Sequence, residues 1–216
     1  MGCFLKGCLI TIVVGVILLG GLAAVGWYFY GKVVNVFTAA QPADVATDPP
    51  TDAQFQVAGE KLDRLRIGMA NDEVIAVEFT ADDINALFAR HPDFAGARNR
   101  ARVSIADSIA VVEMSVPLRQ APLPKLKKRW FNGTAAFGFR YSDGEYQFAP
   151  KLIRANGREI PREFFSEEFV SSFNRSFSAG AKDPKKQDVE SRAFWERVKE
   201  MAVEGDKLII VTQAAR

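Results

Sequence analysis

The chain is expected to be an α+β protein: an N-terminal transmembrane helix, then one domain with an antiparallel sheet packed by three to four helices. Three observations carry this. Residues 7–31 hold no charged side chain. Downstream, segments that alternate apolar and polar residues are separated by turn-forming pairs such as Asp143-Gly144 and Asn156-Gly157. Segments with helical spacing occur between blocks of strands, not after every strand, which favours an antiparallel sheet over a parallel βαβ array.

Taken in order, Thr51 with Gln54 three residues later forms a capping box. Phe55, Ala58, Leu62, Leu65 and Met69 then follow at helical spacing. "EVIAVEF" alternates, with Ile75, Val77 and Phe79 on one side of a strand. Thr80 caps a second helix, "ADDINALFAR", which ends before Pro92. "RARVSIA" and "AVVEMSVPL", joined at Asp107-Ser108, predict a hairpin. A Pro- and Lys-rich connection leads to the strand "RWFNGTAAFGFRY", and "EYQFAPKLIRA" returns after the turn, interrupted or bulged at Pro150. "IPREFFSEEFVSSFNRSF" reads as a helix with Pro161 in its first turn, a further helix is expected from Asp188 to Met201, and "KLIIVTQ" closes the sheet.

The apolar stretch divides the chain into a short cytoplasmic N-terminus (1–6), a span (7–31), a linker (32–52) and an extracytoplasmic domain (53–216). Twenty-five helical residues would reach roughly 37 Å, enough to cross a hydrocarbon core of about 30 Å with some tilt. Trp27, Tyr28 and Tyr30 stand at its far end, where amphipathic rings settle among headgroups. A cleavable signal usually has an apolar region of about 7–15 residues, although Thr38-Ala39-Ala40 offers a small-residue site. Myristoylation of Gly2 is disfavoured because Lys6 occupies the Ser/Thr position. Cys3 and Cys8, beside the membrane, are candidates for palmitoylation, with unmodified thiols the plainer reading. A signal anchor with a short N-terminus implies N-in topology in the cell membrane, with the C-terminal domain outside the cytoplasm.

Charge narrows the function classes. The chain has 28 basic and 26 acidic side chains; residues 1–32 supply two lysines and no acid, so the rest carries 26 of each. A domain of zero formal charge is a poor nucleic-acid binder, so that partner class is excluded. The lipid bilayer is the expected partner through the span, with a membrane protein as a further partner. One histidine and no cysteine beyond Cys8 leave no metal-ligand spacing, so no cofactor or metal is expected.

His91 is the only histidine available to a nucleophilic triad. "HPD" at His91–Asp93 resembles the signature tripeptide of J-domains, but the acidic helix before it and the strands after it favour a helix-ending turn. Asp82 and Asp83 sit in the first turn of their helix, where capping explains them better than acid–base chemistry. No catalytic residue is assigned, and the protein is expected not to be an enzyme. Two stretches suggest binding. Lys125, Lys127, Lys128 and Arg129 precede Trp130, a composition suited to anionic headgroups. Phe165, Phe169 and Phe173, spaced by four, would line an apolar groove or supply the core stripe of a helix packed on a sheet. Asn132-Gly133-Thr134 and Asn174-Arg175-Ser176 match the N-glycosylation sequon.

The order of "FTADDINALF", "VEMSVPL", "FNGTAAFGFRYSDGEYQF", "NGREIPREFF" and "FWERVKEMAVEGDKLIIV" after a span resembles the YpmS-like group of membrane-anchored extracytoplasmic proteins. The resemblance covers roughly residues 73–212. It implies an anchored domain without an established activity and transfers no catalytic residue. The leading expectation is a membrane-anchored, non-catalytic binding or scaffolding domain at the outer face of a membrane. The alternative is a lipid or apolar-ligand carrier with a groove beside the Phe-rich helix.

Overall fold

The computed structural model describes residues 34–119, 124–181 and 194–214. The expected span at 7–31, Cys3 and Cys8 lie outside these residues, and no helix among the described residues is long and apolar enough to cross a membrane. What is described is an α+β domain with an eight-stranded antiparallel sheet.

Helix α1 (Asp52–Ala70) starts at the capping box read from the sequence: Thr51 accepts from the Gln54 amide and the Gln54 side chain accepts from the Thr51 amide. It buries Ala58, Leu62, Leu65 and Gly68. Burying each leucine contributes about 2 kcal/mol, so this face, more than local propensity, holds the helix. Strand β1 (Ala76–Thr80) buries Val77 and Phe79. Helix α2 (Ala81–Arg90) follows at once and buries Asp83, Ala86 and Leu87.

Four hairpins make most of the sheet. β2 (Ala101–Ala106) and β3 (Ile109–Pro117) turn at Asp107-Ser108, with φ of 52° and 61°. β4 (Trp130–Ser142) and β5 (Glu145–Ala155) turn at Asp143-Gly144, with φ of 52° and 80°. β5 and the two-residue β6 (Arg158–Glu159) turn at Asn156-Gly157, with φ of 52° and 77°. Two successive positive φ values are the mark of a type I′ turn, whose twist matches that of the flanking strands. β7 (Val198–Glu204) and β8 (Lys207–Thr212) turn at Gly205-Asp206 with φ of 59° at Gly205, as a II′ turn requires at its first central position.

The long β4–β5 hairpin is the spine. One edge of β4 carries β3 along Trp130–Phe137 and then β7 along Arg140–Ser142, so the β2–β3 and β7–β8 hairpins meet end to end. Their tips bond directly, Ser108 N to Gly205 O at 2.8 Å and Gly205 N to Ser108 Oγ at 2.9 Å. The ladder shifts register between Ala136 and Phe137, opposite Pro150 and Leu152, which is the expected irregularity at Pro150. At Gly133 a Cβ would fall on the Arg154 carbonyl oxygen, so only glycine lets β4 and β5 approach there.

The core lies between α1, α2 and the β1–β8–β7–β4–β5 half of the sheet. It joins Leu62, Leu65, Val77, Phe79, Leu87, Tyr141, Tyr146, Val198 and Ile210. Trp195 packs into it with ring centroids 4.8 Å from Tyr141 and 5.2 Å from Tyr146.

Three expectations are corrected. The helix expected over Asp188–Met201 is, where described, a single helical turn at residues 194–197 followed by strand β7. Phe194, Val198 and Ala202 are spaced by four, which fits both a 3.6-residue and a two-residue period; pairing with β8 and β4 selects the strand. The Phe-rich segment is not one helix. A 3-10 turn at Arg162–Phe165 is separated from α3 (Glu167–Ala181) by Ser166, whose ψ of 157° is extended and whose carbonyl accepts from Val170 N at 2.9 Å. Serine is favoured at such a cap, so the new helix starts there. Finally, the described part of the expected linker, residues 34–52, is not free throughout: Val34, Thr38 and Val45 are buried.

Candidate functional site

The site is built where the chain joins the sheet. Residues 34–37 form a helical turn, and Ala39 then pairs with Trp130, Ala39 N to Trp130 O at 2.8 Å and Trp130 N to Ala39 O at 2.9 Å. Arg129 clamps the same place, its Nε donating to Thr38 Oγ1 at 2.7 Å and its Nη2 to Thr38 O at 2.6 Å. Asn132 holds the next residues: Nδ2 donates to Gln41 O at 2.9 Å, and Oδ1 accepts from Ala43 N at 3.2 Å and from Ser115 Oγ at 2.8 Å. Asn156 adds a bond from Nδ2 to Val36 O at 3.3 Å.

This reassigns part of the basic cluster. Arg129 spends its guanidinium on Thr38, and the Trp130 ring lies under the Arg100 guanidinium, 5.0 Å from centroid to Cζ. Neither is a free headgroup contact. Lys125 sits half-buried within the 3-10 turn at Pro124–Leu126, whereas Lys127 and Lys128 are exposed. Arg158, also exposed, follows the Asn156-Gly157 turn that touches Val36. From Leu118 to Thr134 the chain has five basic and no acidic residues. The opposite end of the β4–β5 spine has Asp143 and Glu145 at its turn, with Glu200 and Glu204 bound to Arg140 at 2.9 and 2.6 Å. The stretch from Leu118 to Thr134 is thus locally basic, and the turn at Asp143–Glu145 is locally acidic.

Helix α3 carries Phe169 and Phe173 on its backbone, and Phe165 lies in the 3-10 turn before it; their side chains fall outside what is described. What α3 does through its polar residues is clear. Asn174 accepts from Phe148 N at 3.1 Å and donates to Phe148 O at 3.2 Å, and Ser178 accepts from Tyr146 N at 3.0 Å. These bonds satisfy the free edge of β5. Asn85 on α2 does the same for β2, bonding both Val103 N and Val103 O at 2.8 Å. Two helices thus close two sheet edges through one asparagine each. The sequon asparagines Asn132 and Asn174 both use their amides inside the fold. Sequence reasoning missed the asparagines because their partners lie 18 and 26 residues away.

His91 caps the end of α2; its Nδ1 accepts from Asp93 N at 3.3 Å, and its ring packs on Phe94 at 5.8 Å. The Asp93 carboxylate is bound by Arg66. Asp83 is buried, bonded to Lys61 at 2.5 Å and to Thr80 N at 2.8 Å, which makes it a cap and an ion pair. Burial alone would raise its pKa; the Lys61 and Thr80 donors outweigh burial and hold it below the usual carboxylate value. Burial raises both the Tyr141 and Tyr146 phenols, so neither ionises near neutral pH. Among the described residues no three histidine, cysteine or acidic side chains converge on a metal position.

No protein-family model, no curated protein and no solved structure matches the chain. The functional reading rests on the geometry.

Proposed function

We propose that this protein is a single-span, membrane-anchored, non-catalytic docking domain, held outside the cytoplasm with its basic end against the bilayer. The observation that carries the reading is the arrival of the chain. The apolar stretch ends at Gly31, and Val34, three positions later, is already buried at 7% exposure, so few residues are left to separate an anchor from the domain. The Ala39–Trp130 bridge and the Arg129 clamp hold that point beside exposed Lys127, Lys128 and Arg158. Each basic side chain near an anionic surface contributes about 1 kcal/mol, so three contribute about 3 kcal/mol, or roughly 150-fold in local affinity. The acidic end, roughly 40 Å away along thirteen residues of β4, then faces outward and is the surface offered to a membrane-protein partner.

The experiment is lipid quenching on the full-length protein in proteoliposomes, with Cys3 and Cys8 changed to serine. A fluorophore at Lys128→Cys should be quenched strongly by headgroup-labelled lipid and one at Asp143→Cys should not. Adding Lys127→Glu and Arg158→Glu should lower the quenching at position 128. Equal quenching at both positions would sink the orientation, and loss of the protein from the membrane pellet at alkaline pH would sink the anchor.

A further inference from the structure

The triplet Thr38-Ala39-Ala40 follows the apolar stretch that ends at Gly31, and it has the small-residue composition after which export-signal peptidases cut. Such a protease reads the first and third positions before the cut, here Ala40 and Thr38. A segment bound in extended form also needs free backbone N–H and C=O groups to pair with its host. On an unfolded chain the Ala40–Gln41 bond meets these conditions.

The folded domain withdraws them one by one. Thr38 is 7% exposed, and its hydroxyl donates to Val34 O while accepting from Arg129 Nε at 2.7 Å, so its side chain has no way into a protease pocket. The Thr38 N–H donates to Val34 O at 3.0 Å, which closes the helical turn at residues 34–37, and the Thr38 carbonyl accepts from Arg129 Nη2 at 2.6 Å. Ala39 spends both backbone groups on Trp130. Beyond the cut, Gln41 O accepts from Asn132 Nδ2 at 2.9 Å, and Ala43 N donates to Ser115 Oγ at 3.1 Å and Asn132 Oδ1 at 3.2 Å. Ala40 itself is exposed between these anchors. Arg129 and Asn132 lie 91 residues from Thr38 and Gln41, so the segment is closed only when the entry of β4 has folded onto it.

We infer that the Ala40–Gln41 bond is a conditional processing site, open on the unfolded chain and closed by folding, with the Arg129 clamp as its guard. The inference rests on the anchored reading, since a cut here separates the span from the domain. Hydrolysis adds one water across the peptide bond: the Ala40 carbonyl carbon takes the hydroxyl, and the Gln41 nitrogen takes the proton and leaves as the new N-terminus. The apolar stretch is longer than the 7–15 residues usual in cleavable signals, so the cut is slow. A mixed α and β domain folds in about milliseconds to seconds, and folding wins in the wild type. A chain that fails to fold stays open, is cut and leaves the membrane.

The test places the full-length protein in proteoliposomes with a purified signal peptidase and reads the N-terminal residue of any soluble fragment. Folded wild type should stay intact. Arg129→Ala should release a fragment beginning at Gln41 about fivefold or more faster, because it removes two bonds that keep the segment shut. Thr38→Val, which loses only the hydroxyl's bonds and keeps a short side chain, should also be cut faster and covers the case in which Arg129→Ala does not fold. Adding Ala40→Phe to either variant should abolish the Gln41 fragment, whereas cleavage of a generally loosened chain would persist. The inference is overturned if the wild type is cut there as fast as the variants, if neither variant yields the fragment, or if the fragment survives Ala40→Phe. Retention of the wild type in an alkaline-washed membrane pellet without protease judges the anchor separately, so the two readings fail by different results.

Discussion

Replacing Asn85 with alanine isolates the device that closes the β2 edge. Asn85 makes two bonds of 2.8 Å to the backbone of one residue, Val103, which is 8% exposed. At about 1 kcal/mol net per hydrogen bond the pair contributes about 2 kcal/mol. Leaving a buried amide and carbonyl unmet raises the loss toward about 4 kcal/mol. Alanine is the better helix former and returns about 0.6 kcal/mol. The expected destabilisation is therefore about 1.5–3.5 kcal/mol, large for a change outside the apolar core. Urea unfolding of the full-length protein in mild detergent, followed by tryptophan fluorescence, measures it. Hydrogen exchange localises it: the Val103 amide should exchange at least tenfold faster, since about 1.4 kcal/mol is a factor of ten. Asn85→Asp keeps an acceptor for the Val103 amide but sets a carboxylate against the Val103 carbonyl, and should be no more stable than the alanine variant at neutral pH. A loss below about 0.5 kcal/mol with unchanged exchange would refute the reasoning, because the edge would then be satisfied by something other than Asn85.

Two further perturbations test neighbouring parts of the structure. The Asp83 carboxyl has a depressed folded-state pKa, so its stabilisation is complete above the unfolded value of about 4 and is lost as pH falls through the folded value. Asp83→Asn should flatten the acid side of the stability–pH curve and cost about 1–3 kcal/mol at neutral pH; an acid limb identical to the wild type would dismiss the Lys61–Asp83 pair as its source. Arg129→Ala removes both bonds to Thr38, so protease cleavage within residues 40–44 should rise several-fold while the far-ultraviolet spectrum is retained. An unchanged digestion pattern would mean that the Ala39–Trp130 bridge holds the segment without the clamp.

The elements legible in the sequence are those whose determinants lie within a few residues. Thr51 with Gln54 and Thr80 with Asp83 announce helix starts because the capping bonds close over three residues. Asp107-Ser108, Asp143-Gly144 and Asn156-Gly157 announce hairpins because left-handed φ at two successive positions is a property of the turn itself. The strand at Val198–Glu204 was expected as part of a helix, since apolar residues at Phe194, Val198 and Ala202 suit a helix as well as a strand. Gly205-Asp206 was the local signal that could have decided it.

The α+β class, the caps, the turns and the uncharged stretch at residues 7–31 were thus determined by the sequence alone, through local dihedral preference and charge. Tertiary structure decided what each polar side chain is for. Arg129 is a clamp on Thr38 instead of a headgroup contact, because its partner lies 91 residues away. Asn174 caps β5 instead of simply facing solvent. Such pairings depend on which strand edges remain unsatisfied after the sheet forms, and that is a property of the assembled fold, not of any window of sequence.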